Sequence, residues 1–200
     1  MHMFDTPTLP PVFHPQPVAD RDPFDAAVAE AAAGGEPGTL FWTPRRDRLE
    51  AAVVLAPDRP LADTRHAVAV TQVALADALE ALGPPNLAIA FDLNSRILLN
   101  GAAVGEVAFA APPGAAEDAV PDWAVVGVRV DVLGDPDDPD PGLHPDRTAL
   151  REEGFGDMEA PRLLESFARH VLFWMNVWEN DGFEPVRRAW QARALDRRAS

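Results

Sequence analysis

Seventeen basic side chains, every one an arginine, stand against 32 carboxylates and five histidines, and the 200 residues include no lysine and no cysteine. Without cysteine there is no disulfide, no thiolate nucleophile, no Cys-ligated zinc and no thioester chemistry. The histidines, at positions 2, 14, 66, 144 and 170, fall into neither HxxxH nor HxH spacing, so nothing supports a metal site or a histidine-based acyl-transfer centre. Ser95 and Ser166 stand outside any G-x-S-x-G setting, and nucleophilic serine chemistry has no support either. The arginines remain. Arg129 and Asp131 alternate along one face of an expected strand; either they pair with each other, or Arg129 offers its planar fork to a ligand carboxylate, and the ion pair is preferred. Arg45 and Arg46 fall in a short connection, where the choice is between a phosphate contact and a solvated turn, and the turn is preferred. The acidic, proline-rich stretch from Gly134 to Asp146 (GDPDDPDPGLHPD) has the carboxylates for calcium but not the glycine and glutamate placement of a helix-loop-helix site, so no metal is expected.

A formal net charge of −15 repels phosphate backbones and anionic lipid, so neither nucleic acid nor membrane is an expected partner. No apolar run is long enough to span a bilayer and the N-terminus lacks the basic flank and apolar stretch of a signal peptide, which makes a cytoplasmic protein the expectation. The hydrophobic content of 47% is enough for one core. Residues 1–21, with Pro7, Pro10, Pro11, Pro15 and Pro17, read as an aperiodic arm lying on the domain or loose in solvent, and residues 22–196 as a single domain.

Several elements must position these groups. Asp22-Pro23 opens a short helix with an N-cap and a proline at the first helical position, and Gly34-Gly35 closes it. Gly38 to Trp42 and Leu49 to Ala56 read as paired strands joined by Thr43-Pro44-Arg45-Arg46-Asp47. From Ala62 to Leu82 the apolar residues Val68, Leu75, Leu79 and Leu82 recur at helical spacing, with Gly83-Pro84-Pro85 as the stop. Leu87 to Asp92, Ile97 to Leu99 and Ala102 to Ala110 read as strands, the last two joined by the hairpin turn Asn100-Gly101. In Trp123 to Leu133, Ala124, Val126, Val128, Val130 and Val132 form a core face, with Trp123, Val125, Gly127, Arg129 and Asp131 on the other. Two helices follow, Ala160 to Asn180, whose stripe of Leu163, Leu164, Phe167, Val171, Trp174, Met175 and Trp178 is packing, and Glu184 to Leu195 after Gly182.

Four segments, taken in order and spanning most of residues 35–195, carry a resemblance. LLNGAAVGEVAF (Leu98 to Phe109) resembles a strand–turn–strand in which an NG or DG turn leads into a run of the form RKVAGIL. VVGVRVDV (Val125 to Val132) resembles a GIGINVN strand, and TALREEG (Thr148 to Gly154) a TSLxEEG segment. LLESFARHVLFWMNVWENDGFEPVRRAW (Leu163 to Trp190) resembles a helix followed by a "GF.P....W" closing helix. The set is that of the catalytic domain of the biotin/lipoate protein ligase superfamily. The resemblance implies an α/β fold in an α+β arrangement, a mixed β-sheet flanked by helices in the class II synthetase and biotin protein ligase manner.

It also implies a chemistry. Relatives join ATP and a biotin or lipoate carboxylate into an acyl-adenylate that a carrier-protein lysine attacks, with an enzyme lysine neutralising the charge that shifts between carboxylate and phosphate. Counted from Asn100-Gly101, that lysine position is Ala103, and the glycine that admits the ligand to the backbone falls at Glu106. The GRGRxGR loop is replaced by the five residues TPRRD, and WPND has no counterpart in Leu93-Asn94-Ser95-Arg96. Arg96 stands where an acidic residue of that motif would be, and a pair with Glu106 is preferred for it. The octanoyl-transferase branch needs a lysine and a cysteine, neither of which this chain has. The residues that would border a ligand are Arg45, Arg46, Arg96, Asn100, Gly101, Ala103, Gly105, Glu106, Gly127, Arg129 and Asp131, with no catalytic residue among them. ATP and biotin or lipoate are implied only if ligase activity is retained. The leading expectation is a ligase-like protein without ordinary ligase activity that keeps a remodelled pocket for a small acyl or carboxylate ligand, or a surface for a biotin- or lipoate-type carrier domain. The alternatives are a divergent ligase or acyltransferase in which Arg96 or Arg129 replaces the lysine, and a structural protein whose pocket is packed shut.

Overall fold

The computed structural model describes residues 6–134 and 144–195. Seven strands form one sheet: β1 (His14–Pro17), β2 (Thr39–Trp42), β3 (Arg48–Leu55), β4 (Ile89–Phe91), β5 (Arg96–Leu99), β6 (Ala102–Ala110) and β7 (Ala124–Asp131), in the spatial order β1-β2-β3-β7-β6-β5-β4. β1 runs parallel to β2 and every other neighbouring pair is antiparallel, so the sheet is mixed. The helices are α1 (Pro23–Ala32), α2 (Leu61–Thr64), α3 (Ala67–Leu82), α4 (Ala160–Asp181) and α5 (Glu184–Gln191).

Local chemistry explains most of the boundaries. Asp22 caps α1 by accepting from Phe24 N at 2.7 Å and Asp25 N at 3.4 Å, and Pro23 starts the helix with φ already set. Asn100 (φ 50°) and Gly101 (φ 96°) both take the left-handed conformation that a two-residue hairpin between twisted strands requires. One face of β7 sends Val126, Val128 and Val130 into a core shared with α3 and α4, where Leu75, Leu79, Leu163 and Leu164 are fully buried. α3 is apolar nearly all round because α4, α5 and the sheet enclose it. The opposite face of β7 is not a solvent face over its first half. Val125 joins Phe41, Ala52 and Val54 in a smaller cluster under Ala26, Ala27 and Ala31 of α1.

Three expectations need correcting. The proline-rich arm is not merely laid on the domain: His14–Pro17 form the edge strand β1, a place where proline's missing N–H costs no interior ladder bond, and Val18 is buried beyond it. The helix expected over 62–82 is interrupted between α2 and α3, where Thr64 Oγ1 donates back to the Arg59 and Pro60 carbonyls and the His66 ring stacks on Phe183 at 3.8 Å between centroids. The last helix ends at Gln191, and the residues after it fasten to the sheet edge instead, through Phe91 N to Arg193 O and Leu195 N to Phe91 O, both 2.9 Å. The calcium question for the acidic loop falls largely on residues 135–143, outside the described residues.

Candidate functional site

The α1 side of the sheet carries a row of charges that the strand register sets side by side. Glu50 of β3 is opposite Arg129 of β7, Arg129 is opposite Glu106 of β6, and Glu106 is opposite Arg96 of β5. Charge therefore alternates across four strands, the arrangement in which directly opposed side chains attract rather than repel. Two residues along, on the same face, Arg48 is opposite Asp131 and bonds it at 2.7 Å, with Arg147 on the other carboxylate oxygen at 3.8 Å. Glu50 of the first row reaches the second as well, 3.7 Å from both Arg129 and Arg48, with its side chain only 17% exposed.

Where α1 begins, its first turn leans over the first row and leaves a cleft of about 230 Å³. Asp22, Pro23, Phe24 and Asp25 form one wall, and Glu50, Ala51, Glu106, Ala108, Gly127, Val128 and Arg129 the floor. A shallower notch that shares Asp22 and Glu50 continues towards Arg21, Thr43 and Arg45. The Phe24 ring sits over Gly127 so closely that a Cβ there would come within 2.5 Å of Cδ2, so the glycine is needed by the protein's own aromatic ring.

The electrostatics follow from the lining. A helix N-terminus ordinarily attracts anions, but here Asp22 already accepts from the free N–H groups and Asp25 stands in the first turn. Four carboxylates, Asp22, Asp25, Glu50 and Glu106, face one guanidinium, Arg129, around the cleft. In the notch, the Asp47 side chain bonds Arg45, holding the Asp47 carboxyl below its ordinary value and raising Arg45. Such a site opposes a phosphate or a second carboxylate. It offers donors and acceptors side by side.

Of the residues singled out in the sequence, the structure brings Glu106, Gly127 and Arg129 together in the cleft and Arg45 into the notch. The others lie elsewhere. Arg129 and Asp131 do not pair with each other: on one strand two residues apart they point the same way without meeting, and each finds its partner on β3. Arg96 bonds Asp92 at 2.6 Å, and Glu106 is its cross-strand neighbour and not its hydrogen-bond partner. Arg46 pairs with Glu159 at 3.0 Å at the start of α4. Asn100 and Gly101 form the hairpin tip, where Asn100 Nδ2 donates to Glu153, which also accepts from Thr148 Oγ1 at 2.7 Å. Ala103 is covered by the segment after the acidic loop, its N donating to Asp146 O and its O accepting from Thr148 N, and it is outside the cleft lining. Gly105 is glycine because a Cβ would come within 2.2 Å of the Arg129 carbonyl oxygen, so its role is strand packing. Sequence reasoning missed Glu50, Phe24 and Asp25. Glu50 was visible as the one carboxylate within the strand RLEAAVVL, whereas nothing short of the packing of α1 on the sheet assigns Phe24 to Gly127. Among the described residues no cluster of His, Asp or Glu could hold a metal ion.

The model of the biotin/lipoate A/B protein ligase family matches residues 9–192. No curated protein matches in sequence. Among solved structures, a biotin protein ligase-like protein of unknown function from Silicibacter sp. TM1040 is 38% identical, with a TM-score of 0.86 over 94% of this chain and 81% of that one. The biotin protein ligase of Aquifex aeolicus has a TM-score of 0.70 at 15% identity, covering 92% and 78%. That of Leishmania major, solved with biotin, has 0.65 at 14%, covering 96% and 84%, and at such identities these two likenesses speak for the fold alone.

Proposed function

This chain belongs to the biotin/lipoate A/B protein ligase family, and we propose that it binds a small ligand in the α1-side cleft without carrying out the lysine-dependent ligation its relatives are named for. The observation that carries the reading is the row Glu50, Arg129, Glu106, Arg96. The resemblance would put a lysine at Ala103 and an open glycine at Glu106; an alanine covered by backbone and an exposed carboxylate stand there instead.

The residues present do not fit ATP or an acyl-adenylate. An anion entering the cleft would find four carboxylates and one guanidinium lining it, the guanidinium of Arg129 lying 3.7 Å from Glu50, so the lining is net negative. The same fact weighs against Arg129 as a substitute for the lysine, since a planar guanidinium beside Glu50 in a net-negative cleft does not copy a compact ammonium. Arg96 is engaged by Asp92 in the same way. What the cleft suits is a small polar molecule that presents donors to Glu50 and Glu106 and an acceptor to Arg129, zwitterionic or amide-bearing and not anionic. A carrier-domain surface is the finer alternative, and the −15 net charge favours a basic carrier face for it.

The test is calorimetric titration of the full chain with ATP, biotin, lipoate, biotinyl- and lipoyl-adenylate and a panel of amino acids and amides. The expected result is saturable binding of a zwitterion or amide that Arg129→Ala and Glu106→Ala each weaken, with no heat from ATP or either adenylate. Tight adenylate binding lost on Arg129→Ala would replace this reading with a divergent ligase.

A further inference from the structure

A second cavity, of about 340 Å³, opens on the α4 side of the sheet, between the chain leading into β1, the end of β3 and the C-terminal half of α4. It shares no lining residue with the cleft or its notch. Its size is at the lower end of the roughly 300–1,000 Å³ typical of small-molecule sites. Phe13, Leu55, Leu172, Met175 and Trp178 give it an apolar wall, and Arg59 adds a cation to that wall.

Arg59 is held in an unusual way. Its guanidinium carbon is 4.3 Å from the centre of the Trp178 ring and its Nε donates to Asp58 Oδ1 at 2.8 Å, so the fork is oriented from below and from one edge. The hydrogen bonds of its guanidinium among the described residues use Nε alone, and the side chain is only 25% exposed. The two terminal amino groups are thus pre-positioned, partly desolvated and available. Two carboxylates share the cavity mouth. Asp58 is engaged by Nε and 75% exposed, and Glu179 faces solvent, so water screens both more than it screens Arg59.

We propose that this cavity is a binding site for a small molecule with an apolar body and a single carboxylate, the body against Phe13, Leu55 and Met175 and the carboxylate across the terminal amino groups of Arg59. One guanidinium matches one carboxylate in the two-pronged geometry that arginine favours. A doubly charged phosphate would find no second cation and would face Asp58 and Glu179. The inference stands apart from the reading of the α1-side cleft, which uses other residues on the other face.

Titrating the full chain with phenylbutyrate, and with phenylbutanol as its uncharged counterpart, tests it. Phenylbutyrate is expected to bind saturably and more tightly than the alcohol. Arg59→Gln should weaken the acid by about tenfold or more while leaving the alcohol unchanged. Met175→Trp, which fills the cavity and leaves the Arg59 residue unchanged, should abolish both, and it keeps the test open should Arg59→Gln unfold the chain. Arg129→Gln should affect neither. Absence of saturable phenylbutyrate binding, binding indifferent to both cavity variants, or binding lost with Arg129→Gln would each overturn the proposal.

Discussion

The two faces of the sheet are built on different terms. On the α3 and α4 side, Val126, Val128 and Val130 meet Leu75, Leu79, Leu163 and Leu164, and among the described residues no charged one is buried with them. On the α1 side the helix covers only part of β2, β3 and β7, its contacts are mostly alanine, and the uncovered strand surface carries Arg48, Glu50, Arg96, Glu106, Arg129 and Asp131. The first face holds the fold together. The second carries its charges outside that core, where a change of charge leaves the packed face intact.

The largest stability losses are therefore expected on the α4 side. Leu163→Ala should cost about 2–5 kcal/mol in urea unfolding, the ordinary price of a fully buried leucine. A loss no greater than that of a half-exposed residue would erase the contrast between the faces. A middle-sized effect is expected where α1 touches the sheet. Gly127→Ala should cost about 1–3 kcal/mol because the new methyl displaces Phe24, and most of that cost should vanish in a Phe24→Ala background. Additive losses in the double-mutant cycle would mean that the ring does not depend on the glycine.

The smallest effect belongs to the end of the charged row. Burial pushes the Asp92 carboxyl up, but hydrogen bonds from the Arg96 side chain and from the backbone N–H groups of Arg96 and Asn94 outweigh it and hold the group below its ordinary value. Its stabilisation is therefore fully present above the ordinary carboxylate range and is lost as pH falls through the lowered folded-state value. Asp92→Asn should cost on the order of 1 kcal/mol at neutral pH, and the melting curves of variant and parent should converge in acid. A difference that persists unchanged into strong acid would contradict the assignment.

Much of the framework was readable from local chemistry. Asp22-Pro23, Asn100-Gly101 and the apolar stripe from Leu163 to Trp178 each act through neighbours in sequence, and each forms the expected element. What stayed hidden depends on partners far along the chain. Arg129 chose Glu50 over Asp131, Arg96 chose Asp92 over Glu106, and the arm at His14–Pro17 found β2, none of which a periodicity can rank. Within the site, Glu106 and Arg129 were legible as polar residues on strands. The wall formed by Phe24 and Asp25 was not, because an amphipathic helix announces which face it buries but not what it buries it against.

The most direct test of the central claim, that the α1-side cleft does not support adenylation, is ATP–pyrophosphate exchange by the purified chain with biotin and with lipoate at millimolar concentrations. The account predicts exchange no faster than in protein-free controls. Exchange that saturates with either acid and disappears with Arg129→Ala would contradict it.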